Sequence, residues 1–206
     1  VFNAPASERV EVGAVREAEG EHGHAKTAGL DGAKLFVEKT CSTCHGEDAN
    51  TSLLPMYPML GGQNRDYLNQ QMLDIKSGAR NNGQTAAMLA IINMVSEEEI
   101  GAMSDWLATL PRGRASTESF GPESAGAKLY QEKTCFTCHG QDGRTPLVPG
   151  YPMIAGQNAE YALQQMLDIK SGARKNGQSI AMAAIVQSVT DEELKLLAEY
   201  VASLEP

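Results

Sequence analysis

The chain has 206 residues, a formal charge of −9 and only 5% aromatic residues. That acidic balance argues against nucleic acid as a partner and suits a basic docking patch on another protein. No apolar run approaches membrane-spanning length, and nothing at Val1 reads as a basic n-region followed by an apolar h-region, so a processed secreted protein or a chain lacking its leader is expected.

Residues 1–31 carry an excess of acidic side chains, have no counterpart elsewhere in the chain, and read as an exposed arm. Glu21-His22-Gly23-His24 offers metal-ligand residue types, yet a solvated segment is the simpler reading. The first helix is expected from Gly32, with Leu35 and Phe36 on its apolar face. Glycine at its start would let another helix approach closely.

That helix runs into Cys41-Ser42-Thr43-Cys44-His45, a pattern repeated as Cys135-Phe136-Thr137-Cys138-His139. Cysteines three apart on a helical turn share a face, so both thiols can form thioethers with the two vinyl groups of one porphyrin. The adjacent histidine can then reach the iron. Together the two copies use all 4 cysteines. A zinc ribbon would space its cysteine pairs more closely, and a thioredoxin-like dithiol would follow a strand. The reading is two covalently bound haem c groups, which would also supply the largest apolar object in each small core.

The middle helix is expected from Asn64, a good N-cap, to Gly78, with Leu68, Met72 and Ile75 at helical spacing. The stretch after it, holding Met88, reads as a loop able to cross the far face of a porphyrin. The last helix opens on Ser96-Glu97-Glu98-Glu99, a capping box, and carries Ile100, Met103, Leu107 and Leu110 as one buried stripe beside Trp106. Residues 111–125 are rich in Pro, Gly and Ser and read as a linker. No segment alternates long enough to be a strand, so an all-α fold is predicted.

Residues 32–110 align without a gap on 126–204, at the constant offset of 94 that separates Cys41 from Cys135. Two domains follow, 32–110 and 126–206, and any residue serving each haem alike should recur at that offset. Applied to methionine as the second iron ligand, this removes Met56, Met94 and Met103. Three pairs survive: Met59 with Met153, Met72 with Met166, and Met88 with Met182. Met72 and Met166 lie on a core stripe, while Met59 and Met153 follow closely behind the haem-binding turn. Lys76, Arg80 and Asn82, with Lys170, Arg174 and Asn176, are either propionate partners or a solvated helix end, and Tyr57 and Tyr151 are propionate donors or packing aromatics.

The order of helices around each motif resembles a class I cytochrome c. The tandem pair, with Tyr57-Pro58-Met59-Leu60-Gly61-Gly62-Gln63 and Tyr151-Pro152-Met153-Ile154-Ala155-Gly156-Gln157, resembles the dihaem cytochrome c4 family. The resemblance implies tandem cytochrome c domains each wrapped around one haem, with His45 and Met88 on one iron and His139 and Met182 on the other. It also implies a proline carbonyl behind each histidine, for which Pro55 and Pro149 are the candidates. A thioether ligand favours ferrous iron and, with histidine opposite, leaves no open position. The implied role is periplasmic electron transfer between donor and acceptor proteins, with docking to a membrane-bound oxidase open. The alternatives are a haem enzyme of the dihaem peroxidase or thiosulfate-oxidising type and a haem subunit of a larger oxidoreductase.

Overall fold

The computed structural model describes residues 29–206, so His22, His24 and nearly all of the expected arm lie outside the described residues. Every regular element among the described residues is a helix. The first set is α1 (Gly32–Glu38), α2 (Ser42–His45), α3 (Arg65–Ser77), α4 (Thr85–Ile92) and α5 (Glu97–Thr109). The second is α6 (Ala125–Glu132), α7 (Phe136–His139), α8 (Ala159–Ser171), α9 (Ser179–Val186) and α10 (Asp191–Ser203).

Helix ends follow the sequence signals closely. Ser96 and Glu99 form a complete capping box on α5, and Thr190 and Glu193 do the same on α10. Both α3 and α8 stop at a glycine with φ 77°, the left-handed conformation only glycine adopts without strain. Met88 and Met182 sit in α4 and α9 and not in the expected loops. The runs Thr85–Ile92 and Ser179–Val186 hold no glycine or proline, and their alanines favour helix.

In each domain the first helix crosses the last at a glycine. A Cβ on Gly32 would come within 2.3 Å of the Ala102 carbonyl oxygen and 2.7 Å of Trp106 Cβ; on Gly126 it would meet the Leu196 carbonyl oxygen at 2.5 Å and Tyr200 Cβ at 2.6 Å. This close crossing places Phe36 against Trp106 and Tyr130 against Tyr200. Ile100, Met103 and Leu107 fill the first core, and Leu194, Leu197 and Val201 the second. Each large apolar side chain so buried contributes about 1.5–3 kcal/mol.

The two domains meet through reciprocal polar contacts. Gln63 accepts from the Met153 amide (2.8 Å) and donates to the Met153 carbonyl (2.7 Å), while Gln157 accepts from Met59 (2.9 Å) and donates to it (3.0 Å). Exchange of partners at the repeat offset is what a local two-fold axis produces. The linker lies in this seam. Asn50 binds the Pro111 carbonyl at 3.0 Å and the Gly113 amide at 3.1 Å, and the Ala115 amide donates to Gly156 at 2.8 Å.

Candidate haem sites

Each site begins with a sharp reversal between two helices. Thr40 and Thr134 have φ 61° and 57°, a left-handed conformation that costs a β-branched residue about 1–2 kcal/mol. The reversal lets the Cys41 and Cys135 amides close onto Phe36 and Tyr130, both at 3.0 Å, so that the single turns α2 and α7 start with a cysteine facing the domain core. Nothing in the residue type marks either threonine, and the sequence reading passed over both.

The histidines are oriented from behind. His45 Nδ1 lies 3.0 Å from the Pro58 carbonyl and His139 Nδ1 3.1 Å from that of Pro152. A carbonyl only accepts, so Nδ1 carries the proton and Nε2 presents a lone pair, the tautomer an iron ligand needs. Burial holds both imidazoles below the usual histidine range against the opposing pull of the proline carbonyl. The expected prolines were Pro55 and Pro149. Both are corrected to Pro58 and Pro152, because turns in which Tyr57 donates to Leu54 and Tyr151 to Val148 swing the later proline under the ring.

In the first domain a cavity of 580 Å³ opens in front of His45. Cys41, Cys44 and His45 line it together with Met88 and Ile91 of α4 and the apolar side chains of Phe36, Ile75 and Leu107. Its polar rim is Arg80 and Asn82 together with Tyr161 and Gln165 from α8 of the other domain. A haem has this distribution: a broad apolar face with two carboxylates on one edge. Residues present therefore fit the group. Burial pushes the Cys41 and Cys135 thiols up to about 11, which disfavours the thiolates that zinc or a reactive dithiol would need. Among the described residues no cluster of three or more Cys, His, Asp or Glu side chains could hold a metal ion.

Position sets Met59 apart from the other two candidates of the first domain. Met88 lines the cavity, whereas Met59 is buried away from it, its backbone bound to Gln157 and its methyl close to Gly113. Met72 also borders the cavity, from the core face of α3. Met182 packs in the second core as Met88 does in the first.

Arg80 and Arg174 are buried, not a solvated helix end. Arg80 donates to Gln71 (3.0 Å) and, across the seam, to the Tyr161 hydroxyl (3.1 Å) and Gln165 (2.9 Å). Arg174 returns this pattern to Gln165, Tyr67 and Gln71, each at 3.0 Å. Asn82 and Asn176 donate to Asp168 and Asp74, both at 2.6 Å. Lys76 instead binds the carbonyls of Ile92, Asn93 and Val95 at and beyond the end of α4, and Lys170 binds the Val189 carbonyl and Asp191. Tyr57 borders the cavity with its ring centroid 6.4 Å from that of His45, and Tyr151 is half-buried in the matching segment. The inter-domain role of Arg80, Asn82, Arg174 and Asn176 was invisible to a reading that treated each repeat by itself.

No helix among the described residues is long and apolar enough to cross a membrane. A family model described as cytochrome c matches residues 30–111 and again 123–205. A thiosulfate dehydrogenase electron acceptor of Stutzerimonas stutzeri is 31% identical over 84% of this chain and 86% of its own length. Cytochrome c4 of Azotobacter vinelandii is 29% identical over 88% of this chain and 92% of its own. The solved structure of Acidithiobacillus ferrooxidans cytochrome c4 covers 80% of this chain and 98% of its own at 26% identity, with a TM-score of 0.71.

Proposed function

This chain belongs to the cytochrome c family as a dihaem electron-transfer cytochrome of the c4 type, and we propose that it is a soluble periplasmic carrier working between a donor and an acceptor through two His/Met-ligated haems. Cys41 and Cys44 would hold the first haem by thioethers and Cys135 and Cys138 the second. His45 and His139 would supply one iron ligand each, and Met88 and Met182 the other. The covalent haem supplies a reversible one-electron centre. The protein orients the imidazole, excludes water and sets the charge around the propionates. The domains on this reading are 32–110 and 126–206, joined by 111–125.

What supports the reading is that Met88 and the tautomerically fixed His45 border the same apolar cavity. Two strong ligands leave no position for a substrate, which favours a carrier over a peroxidase or thiosulfate-oxidising enzyme. The name of the Stutzerimonas relative suggests a specific donor, a thiosulfate dehydrogenase. The test is to supply hydrogen peroxide or thiosulfate directly and, separately, thiosulfate with a purified thiosulfate dehydrogenase. A carrier turns over neither compound alone and is reduced rapidly only when the dehydrogenase is present. Steady turnover of either compound alone would install the enzyme reading. Reduction by other donors but not by this dehydrogenase would keep the carrier and discard the donor.

A further inference from the structure

Arg112 lies three residues beyond the end of α5, and its backbone packs on Gly62, where a Cβ would come within 2.8 Å of the Arg112 amide nitrogen and Cβ. Its side chain crosses into the second domain, donating from Nε to the Ala155 carbonyl (2.7 Å) and from Nη2 to that of Met153 (2.9 Å). These carbonyls belong to the segment whose Pro152 orients His139. The third nitrogen, Nη1, is buried with no partner. No described carboxylate forms an ion pair with Arg112, and burial pulls the guanidinium down to about 10, with only Tyr67 favouring its charge.

A guanidinium with a buried idle donor and no counter-charge is costly by several kcal/mol, and an anion at Nη1 would offset that cost. Its location follows from the two-fold exchange. Tyr161 lies on the rim of the first cavity beside Arg80, and Tyr67 holds the equivalent place beside Arg174. Pro58 and Leu60 line the first cavity and Arg112 does not, whereas their counterparts Pro152 and Ile154 adjoin the two carbonyls that anchor Arg112, so Arg112 stands beside the second haem site and not the first. The repeat offers no equivalent, since the matching position is Pro206.

We propose that Arg112 is a positioning residue that binds a propionate of the haem held by Cys135, Cys138 and His139, and that it makes the two haems unequal. The proposal rests on the two-haem reading above. A guanidinium beside that haem offsets negative charge and disfavours ferric iron, so it raises the second potential relative to the first. The fork geometry leaves Nη1 free for the carboxylate while the other two nitrogens anchor the side chain to its domain.

The test is a spectroelectrochemical titration of the haem-loaded chain, resolving both haems, on Arg112→Gln, Arg112→Lys and Asn50→Ala. Asn50→Ala loosens the same linker without removing the cation. Arg112→Gln should shift electron occupancy from the second haem to the first by about tenfold, about 59 mV for a one-electron couple. The first haem and Asn50→Ala should keep wild-type potentials. If Arg112→Gln does not fold, Arg112→Lys decides, because loss of the fork must change the propionate bending band of one haem in resonance Raman spectra. Equal shifts of both haems, no shift, the same shift in Asn50→Ala or an unchanged propionate band in Arg112→Lys overturns the proposal. Failure of the underlying reading is seen separately, as fewer than two haems in the wild-type chain.

Discussion

The two domains are most alike where they touch each other and least alike where they touch the linker. Gln71 to Arg80 recurs letter for letter as Gln165 to Arg174. Residues of this run serve the core and the seam at once: Met72 and Ile75 face the first core, while Gln71 accepts from Arg174 and Asn176 of the other domain. The linker, by contrast, touches the two domains at places that the repeat does not relate. Asn50 binds it, whereas Arg144 at the matching position binds the Pro206 carbonyl at 2.8 Å. Ser52 accepts from Asn158 at 2.9 Å, but position 146 is proline, so nothing draws Asn64 away from its own helix. Asn64 therefore caps α3, and Asn158, with nearly the same backbone angles, spans the seam and leaves α8 without a side-chain cap. A two-fold seam keeps a repeat identical, and a single covalent connection makes it diverge.

Paired substitutions test this comparison. The largest effect is expected from Met88→Ala and Met182→Ala, which should each abolish the sulfur-to-iron charge-transfer band of one haem and lower that haem's potential alone. If Met59→Ala or Met153→Ala does this instead, the ligand choice is wrong. Next come Gly32→Ala and Gly126→Ala, where the added carbon meets backbone oxygen at a crossing that cannot relax cheaply. Each should destabilise its own domain by about 1–3 kcal/mol in denaturant unfolding. Trp106, the chain's 1 tryptophan, reports the first domain, so its transition should move for Gly32→Ala and stay for Gly126→Ala.

The asparagines give a smaller and more pointed contrast. Asn64→Ala should cost the first domain about 1 kcal/mol through loss of a helix cap. Asn158→Ala should leave α8 intact and instead weaken the docking of the domains, detectable as faster exchange of the Met59 and Met153 amides that are bound across the seam. Equal, purely local effects of the two would contradict the asymmetry.

Smallest is the pH response. Hydrogen bonds from Asn50 and Thr51 hold Asp48 below the usual carboxylate range, and for Asp142 those from Arg144 and Thr145 outweigh burial in the same direction. Their folded values lie below the unfolded ones, so their contribution is present above the unfolded carboxylate range and is lost as pH falls through the folded value. Both loops behind the haem motifs should loosen together on acidification, followed by amide exchange at Asn50, Thr51, Arg144 and Thr145. Asp48→Asn and Asp142→Asn should flatten the response in one loop each.

Local chemistry carried most of the fold into the sequence. Caps at Asn64, Ser96 and Thr190, stops at Gly78 and Gly172, and the crossing at Gly32 are decided by neighbours a few residues away or by one close approach. The haem motifs were equally legible because cysteine spacing on a turn is itself the chemistry. Choosing between Pro55 and Pro58 was not, since it depends on how a turn folds back under a ring. Arg112 escaped for a different reason: a filter built on residues that recur cannot see one whose role exists in a single copy. Arg80 and Arg174 recur faithfully, yet their partners lie in the other domain, and pairing between domains leaves no periodic mark on the chain.

An optical redox titration of the native chain, run with and without carbon monoxide, bears most directly on the claim that both irons are closed by histidine and methionine. Two one-electron steps per chain, unmoved by the gas, are expected. A step that shifts on adding carbon monoxide would mean that one haem has an open or displaceable position, and the carrier would have to be redrawn as an enzyme.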